Sequence, residues 1–227
     1  MTEPKILVGI PYSEKPLRID VFLSWMRFAA QGHNVIASEG PTPLSRAGLA
    51  RTFMANEEFT HLLMLDLDHI HMADVVDHVK QRLMSEDPPK ILGGLHFQRQ
   101  PPYKPCVFMF KDEGLGVSTV TQWPQGVVET DAVGMGTLCV AREVFETLGQ
   151  PYFQFAYVGE RFIGEDIWFC NQARKAGYKI WVDFMLTSLH QGTKLVGEKE
   201  FREWMAENLP NNPKELRETT MRDDAGG

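Results

Sequence analysis

The stretch HLLMLDLDH, residues 61–69, organises the rest of the chain. Its apolar residues run into Asp66 and Asp68, which is typical of a buried strand that ends at the wet edge of a sheet. Because side chains alternate along an extended chain, both carboxylates are expected to point the same way. Two carboxylates about 4 Å apart repel by roughly 4 kcal/mol at an effective dielectric near 20. The pair therefore indicates a cation, and the oxygen-binding ions Mg²⁺ and Mn²⁺ fit best.

Predicted strands and helices alternate on the N-terminal side of this stretch. Strands are predicted at residues 5–10 and 33–38, and helices at residues 17–31 and 42–58. This alternation is the pattern of a parallel sheet with crossover helices. Asp66 and Asp68 then fall at the carboxyl end of the third strand, where open α/β sheets bind their ligands.

The C-terminal side has a more mixed pattern. It predicts helices at residues 73–86, 141–148, 164–177 and 198–208, strands at 90–94, 178–182 and 185–189, and short β pieces at 107–110, 116–121 and 127–133. We expect the short pieces to be antiparallel additions to a central, mostly parallel sheet. The prediction is one α/β domain over residues 1–210 and a polar, flexible tail over residues 211–227.

Composition narrows the class of protein. The 227 residues are 43% hydrophobic, enough for one sizeable core, and the net charge of −7 argues against broad nonspecific nucleic-acid binding. Three cysteines lie far apart without metal-ligand spacing, which is typical of reduced thiols. There is no signal-peptide pattern and no apolar run of about 18 residues. We therefore expect a soluble, cytoplasmic protein without a membrane span.

Four short motifs occur in a recognisable order. They are IPY at residues 10–12, SR at 45–46, DLD at 66–68 and GED at 164–166, with His190 after them. This order resembles the GT-A-fold glycosyltransferases, particularly small members similar to glycosyltransferase family 2, over roughly residues 5–192. The resemblance implies a Rossmann-like fold of the nucleotide-diphospho-sugar transferase type. It also implies a hexosyltransferase that moves a sugar from a nucleotide-diphosphate donor, with a UDP-sugar favoured, to an acceptor hydroxyl.

The resemblance implies a divalent-metal site. Asp66, Asp68 and His190 would hold Mn²⁺ or Mg²⁺, with Asp68 as the principal ligand and Asp66 touching the ribose or reaching the metal through water. A cation there would neutralise the charge that grows as a nucleoside diphosphate leaves. The alternative is structural, since acids at strand ends also form turns and helix caps. His69 and His71 lie nearby in sequence and suggest zinc, but a histidine at a strand end is more often structural.

The resemblance places the catalytic base at Asp166, with Glu165 assisting it or holding the acceptor. Such a base takes the proton of the acceptor hydroxyl and favours inversion at the anomeric carbon. The alternative is that both acids only favour the first turn of a helix, where the dipole contributes roughly 0.3–1 kcal/mol.

For the nucleotide, the resemblance implies contacts from Pro11, Tyr12, Glu39, Arg46 and Asp66. Tyr12 would stack on a base, although it could equally close the edge of the core. Arg46 would lie near the base or the diphosphate, and a surface ion pair is its alternative role.

For the sugar or the acceptor, glycines allow close backbone approach, and His96, Arg99 or an aromatic ring could contact a ligand. The candidate positions are Gly94, His96, Arg99, Gly134, Gly136 and Trp168. The acceptor is a saccharide or protein hydroxyl, or a hydroxymethylated base in DNA. The DNA base is included because residues 88–111 carry four Lys or Arg and no acid.

Two other functions are open at this point. A metal-dependent nucleotidyltransferase of similar fold would usually carry a glycine-rich, basic loop after the first strand, and residues 11–15 lack it. A non-catalytic nucleotide- or carbohydrate-binding module is the alternative from a different class.

Overall fold

The computed structural model describes residues 3–13, 16–111 and 115–208. Its first half alternates strand and helix as predicted: β1 (Ile6–Tyr12), α1 (Ile19–Ala29), β2 (Val35–Glu39), α2 (Thr42–Met54) and β3 (His61–Leu65). Next come β4 (His69–His71), α3 (Val75–Leu83), β5 (Ile91–Leu95), β6 (Val107–Phe110), β7 (Val117–Thr119), β8 (Val127–Thr130), β9 (Ala132–Val133), β10 (Thr137–Ala141) and α4 (Arg142–Leu148). The last elements are β11 (Ala156–Val158), β12 (Arg161–Ile163), α5 (Glu165–Lys175), β13 (Ile180–Gln191), β14 (Leu195–Val196) and α6 (Glu198–Asn208).

A central sheet organises these elements. Within the described ranges it has nine strands: seven follow the path β14-β13-β5-β10-β3-β1-β2, and the other two, β4 and β8, pair with β13. Strands β2, β1, β3, β5 and β13 run parallel, and β10 lies antiparallel between β3 and β5. Strands β7-β6-β9 and the β11-β12 hairpin form two small antiparallel sheets. The predicted α/β class with antiparallel additions is therefore confirmed.

Helices cover both faces of the sheet. Leu62 and Met64 of β3 join one buried cluster, which includes Phe53 of α2, while Leu63 joins a second cluster, which includes Val79 of α3. This division follows from the alternation of side chains along a strand. Burial on both faces explains why the apolar run of β3 is unbroken. The polar residues Asp66 and Asp68 follow the strand at the edge of the sheet.

The structure corrects three predictions about local elements. Strand β3 ends at Leu65, and residues 66–68 form a turn before β4, so the alternation argument for the two aspartates is wrong. The strands predicted at 178–182 and 185–189 are one strand, β13, whose register against β5 shifts between Asp183 and Thr187. Strand β10 and the β11-β12 hairpin were not predicted. The tail predicted at residues 211–227 lies outside the described residues.

None of the helices in the described ranges combines the length and the apolar character that crossing a bilayer requires.

Candidate active site

A cavity of about 240 Å³ lies at the carboxyl ends of β1 and β3. Its lining includes the predicted residues Pro11, Tyr12, Arg46, Asp66, Asp68, His96, Arg99, Gly134, Gly136, Glu165, Asp166 and His190. Glu39, Gly94 and Trp168, which were also predicted, are not among its lining residues. The structure thus brings together residues that are far apart in sequence, at the edge of the sheet where ligands bind in α/β folds.

Hydrogen bonds to two main-chain carbonyl groups hold the turn that carries Asp66 and Asp68. The indole Nε1 of Trp25 donates to the carbonyl of Leu67 at 2.8 Å. The amide of Gln191 donates to the carbonyl of Asp68, also at 2.8 Å, and so ties the turn to β13. Because these bonds use the main-chain oxygens of residues 67 and 68, they fix the turn without engaging either carboxylate.

Arg46 joins two of the predicted acids. Its Nη2 donates to Asp66 Oδ1 at 2.8 Å, and its Nε lies 3.5 Å from Glu165 Oε1. Its Nη1 also donates to the carbonyl of Met135 at 3.3 Å. Arg46 is only 2% exposed, so the alternative of a surface ion pair is wrong. The guanidinium instead compensates two buried or half-buried carboxylates and fixes the spacing between the acidic turn and α5.

Asp68 belongs to a different group, with His69 and His190. One ligand atom from each of these residues lies within 4.8 Å of the other two, and within the described residues this is the group with metal-ligand geometry. Asp68 Oδ2 is 3.6 Å from Nε2 of His190, and Asp68 Oδ1 is 4.0 Å from Nε2 of His69. Nε2 of His69 is buried, and within the described ranges it has no hydrogen-bond partner. A group of one carboxylate and two imidazoles, one of which has this nitrogen without a partner, fits a divalent cation.

Asp66 is not part of that group, because its carboxylate faces Arg46. Its role at the metal or the ribose stays a prediction. Arg99 does approach the group, since its Nη1 donates to Asp68 Oδ2 at 3.1 Å.

Three histidines close to Asp68, His69, His71 and His96, have lowered pKa values and are neutral near pH 7. Burial, reinforced by neighbouring histidines, lowers the pKa of His69 well below its ordinary value. Burial likewise lowers the pKa of His71 to about 4 and that of His96 to about 3. Neutral imidazole is the form that ligates metals. The site is therefore able to accept a cation without first releasing protons from these rings.

Glu165 and Asp166 open α5 next to the cavity. Burial raises the pKa of both carboxyl groups, while Arg46 and, for Asp166, an amide hydrogen bond act in the opposite direction. That bond runs from the amide of Ile167 to Asp166 Oδ1 at 2.7 Å. Asp166 Oδ1 therefore accepts from an amide in the first turn of α5, as the structural alternative expects, while the N-cap residue is Gly164. The role of Asp166 as base stays a prediction, and a half-buried carboxylate with a raised pKa is suited to proton transfer.

Three of the predicted nucleotide contacts, Pro11, Tyr12 and Glu39, lie at the carboxyl ends of β1 and β2. Pro11 and Tyr12 end β1, and Tyr12 pairs with Glu39 of β2 across the parallel ladder. The hydroxyl of Tyr12 donates to Glu39 Oε2 at 3.3 Å. Glu39 therefore contacts Tyr12, which lines the cavity, but does not line the cavity itself. The ring of Tyr12 is half-buried, so part of it is accessible to a ligand.

The glycine turn before β10 packs against histidines. A Cβ on Gly136 would lie 2.5 Å from Cε1 of His69, and one on Gly134 would lie 2.7 Å from Nε2 of His96. Glycine is required at both positions because any side chain would displace a ring. Gly94 serves packing instead, since a Cβ there would lie 2.6 Å from the carbonyl of Leu186. Trp168 packs against the larger hydrophobic cluster rather than lining the cavity.

The main residue that the sequence interpretation missed is His69. It was treated as more often structural, yet it lies in the group with metal-ligand geometry. The only signal in the sequence is its place directly after Asp68, because its pairing with the strand that carries His190 is seen in the structure alone. Cys106 also lines the cavity, and burial raises the pKa of its thiol, so it is a neutral wall residue.

Comparisons with known proteins bear on the fold. No protein-family model matches the chain, and a search of curated proteins finds no match. Among solved structures, A197 from STIV aligns over 82% of this chain and 85% of its own, with 17% sequence identity and a TM-score of 0.57. The inositol-1-phosphate CTP transferase from T. maritima aligns over 92% of this chain and 98% of its own, with 13% identity and a TM-score of 0.46. The first likeness shows a shared fold, and the second is too distant to support an argument.

Proposed function

We propose that this chain is a divalent-metal-dependent glycosyltransferase of the GT-A type, similar to glycosyltransferase family 2. It moves a sugar from a nucleotide-diphosphate sugar, with a UDP-sugar favoured, to an acceptor hydroxyl. One observation carries this proposal: a single cavity at the ends of parallel strands is lined by a group with metal-ligand geometry and by a half-buried acidic pair. A cation site beside a carboxylate base is what the transfer of a sugar from a diphosphate requires.

In the proposed reaction, the carboxylate of Asp166 takes the proton of the acceptor hydroxyl. That oxygen forms a bond to the anomeric carbon as the bond from the same carbon to the diphosphate oxygen breaks. The diphosphate leaves with the bonding electron pair, and the configuration at the carbon inverts. Glu165, whose carboxylate is oriented by Arg46, assists the base or holds the acceptor.

Asp68 and His190 would hold Mn²⁺ or Mg²⁺. A bound cation would supply positive charge to the departing diphosphate. The protein prepares this position by fixing the main chain of Asp68 to β13 and by fixing the ring of His190. The ring is fixed through a 2.8 Å bond from its Nδ1 to the carbonyl of Phe97. Asp66 would touch the ribose or reach the cation through water.

The size of the cavity suggests how the donor would lie. Its volume of about 240 Å³ is below the ~300–1,000 Å³ usual for sites that enclose a whole ligand. The diphosphate and sugar would occupy the interior, close to His96, Gly134 and Gly136. The nucleoside would extend past Pro11 and Tyr12 at the mouth. The acceptor, which is a saccharide, a protein hydroxyl or a hydroxymethylated DNA base, would approach from the side of Asp166.

The test is to incubate the protein with UDP-sugars and Mn²⁺ and to identify the released phosphate compound. We expect release of nucleoside diphosphate. Asp166→Asn should reduce its rate by about 10²–10⁴-fold without changing the dissociation constant of the donor measured by calorimetry. Asp77→Asn is the matched control, because Asp77 lies exposed in the first turn of α3.

Each other outcome contradicts part of the proposal. Release of pyrophosphate would indicate a nucleotidyltransferase, and donor binding without any release would indicate a binding module. Undiminished turnover in Asp166→Asn would show that Asp166 is not the base.

A further inference from the structure

We infer that His69 is a third direct ligand of the cation, so that the site is a two-histidine, one-carboxylate centre that selects transition metals over Mg²⁺. This inference rests on the metal centre of the proposed function and specifies its ligands and its metal. The ligand atoms would be Nε2 of His69, Nε2 of His190 and a carboxylate oxygen of Asp68.

Strand pairing places the two rings side by side. Strand β4 runs antiparallel to β13, and His69 lies directly opposite His190 in that ladder. Directly opposed residues project from the same face of a sheet with their side chains in contact. The ring centroids are accordingly 4.2 Å apart. Backbone pairing thus places two imidazoles side by side next to Asp68.

Each ring is oriented by a hydrogen bond through Nδ1. His190 Nδ1 is 2.8 Å from the carbonyl of Phe97, and His69 Nδ1 is 2.8 Å from Oγ of Ser188. When Nδ1 is held in this way, Nε2 is the ring atom that remains for a ligand, and such partners are typical of metal-bound histidines. Ser188 lies two residues before His190 on β13, so one strand supplies both a ligand and the orienting group for the other.

The Nε2 atom of His69 is buried and has no hydrogen-bond partner among the described residues. The side chain of His69 is 1% exposed. His71, two residues further along β4, differs in this respect: Nε2 lies 3.1 Å from the carbonyl of Asp66, and Nδ1 lies 3.2 Å from Oγ1 of Thr137. A buried nitrogen that lacks a partner is costly, and a cation next to Asp68 would remove that cost.

The ligand set decides which metal binds best. Mg²⁺ prefers oxygen ligands and gives up its water reluctantly. Imidazole nitrogen favours transition metals, and for such a site the affinity rises from Mn²⁺ to Co²⁺. A centre with one carboxylate and one imidazole would discriminate weakly, whereas a second imidazole strengthens the preference. We therefore expect the affinity to increase in the order Mg²⁺, Mn²⁺, Co²⁺.

The experiment measures metal binding to the full-length protein without any donor. Dissociation constants for Mg²⁺, Mn²⁺ and Co²⁺ are determined by calorimetry for wild type, His69→Gln and Ser188→Ala. Ser188→Ala should weaken Co²⁺ binding about tenfold, the lower end of the 10–100-fold range for orienting groups, and His69→Gln should weaken it by at least as much. Mg²⁺ binding should weaken less, so the ratio of the Mg²⁺ to the Co²⁺ dissociation constant falls in His69→Gln.

His61→Gln is the control, because His61 is an imidazole at the opposite end of β3 and does not line the cavity. It should leave all three constants unchanged. Pulsed electron paramagnetic resonance of the Mn²⁺-loaded wild type counts bound nitrogens directly and does not depend on a variant that folds. We expect two imidazole nitrogens.

The outcomes separate this inference from the proposed function. The role of His69 alone would be overturned if the resonance spectrum showed one bound imidazole. It would also be overturned if His69→Gln kept the wild-type dissociation constants and the wild-type ratio of the Mg²⁺ to the Co²⁺ constant. A wild type that binds none of the three metals would overturn the metal centre of the proposed function as well.

Discussion

Replacing Arg46 with methionine should destabilise the protein in a pH-dependent way. Methionine keeps the unbranched stem of arginine as far as the Nε position but removes the charge that lies between Asp66 and Glu165, at 2.8 Å and 3.5 Å. The side chains of these two acids are 24% and 14% exposed, and that of Arg46 is 3% exposed. Removing one partner of a buried ion pair costs about 3–5 kcal/mol, because the remaining charge is left unpaired.

The sign of the pH dependence follows from the two carboxyl groups. Burial already raises the pKa of Asp66 and of Glu165, and Arg46 counteracts that effect. Without Arg46, both pKa values in the folded state rise further above those of the unfolded chain. The native state then binds more protons than the unfolded state. The cost is therefore fully present above the raised pKa values and is relieved as the pH falls toward about 4.

Thermal unfolding followed by circular dichroism at pH 5 and at pH 8 measures this effect. At about 2–4 °C per kcal/mol for a protein of this size, Arg46→Met should lower the midpoint by roughly 6–20 °C at pH 8 and by clearly less at pH 5. Arg51→Met is the matched control, because Arg51 is an exposed residue of the same helix. A loss below about 1 kcal/mol, or a loss that is equal at both pH values, would refute the assignment of Arg46 to a buried bridge.

Further predictions concern the cavity itself. Turnover should fall as the pH drops through the raised pKa of Asp166, because the base must be deprotonated. A pH–rate profile that stays flat down to pH 4 would contradict this prediction. Gly136→Ala should weaken Mn²⁺ binding about tenfold in calorimetry, because the added Cβ would lie 2.5 Å from the His69 ring and must displace that ring. Unchanged binding would show that Mn²⁺ binding does not require the His69 ring in this position. Arg99→Gln should strengthen Mn²⁺ binding several-fold, by roughly 1 kcal/mol. The reason is that the guanidinium of Arg99 lies 3.1 Å from Asp68 Oδ2 and competes with a cation for that oxygen. Weaker binding in the variant would mean that Arg99 supports the site instead.

The first half of the fold could be predicted because its elements are strongly patterned. Strands β1, β2 and β3 are short apolar or alternating runs, and α1 and α2 fill the gaps between them. The later half could not be ordered in the same way. Strand β10 is a five-residue apolar segment that follows a glycine turn, and nothing local shows that it inserts antiparallel between β3 and β5.

The candidate site was predictable in its residue types but not in its partnerships. The acids at residues 66, 68, 165 and 166 stand out in the sequence. However, the sequence does not show that Asp66 faces Arg46 while Asp68 faces two histidines, because that division depends on the turn at residues 66–68. The place of His69 depends on the pairing of β4 with a strand far along the chain. Long-range pairings of this kind are invisible to local spacing.

The central claim is that this cavity binds a nucleotide-sugar together with a divalent cation. The most direct measurement is the unfolding midpoint of the wild type with a panel of nucleotide-sugars, each with Mn²⁺, Mg²⁺ or a chelator. A donor at about 100 times its dissociation constant stabilises the native state by about 2.7 kcal/mol, which is roughly 5–11 °C here. The account predicts such a shift for a UDP-sugar with Mn²⁺ and its loss with the chelator. A panel in which no donor shifts the midpoint, or in which the shift is the same with and without metal, would contradict it.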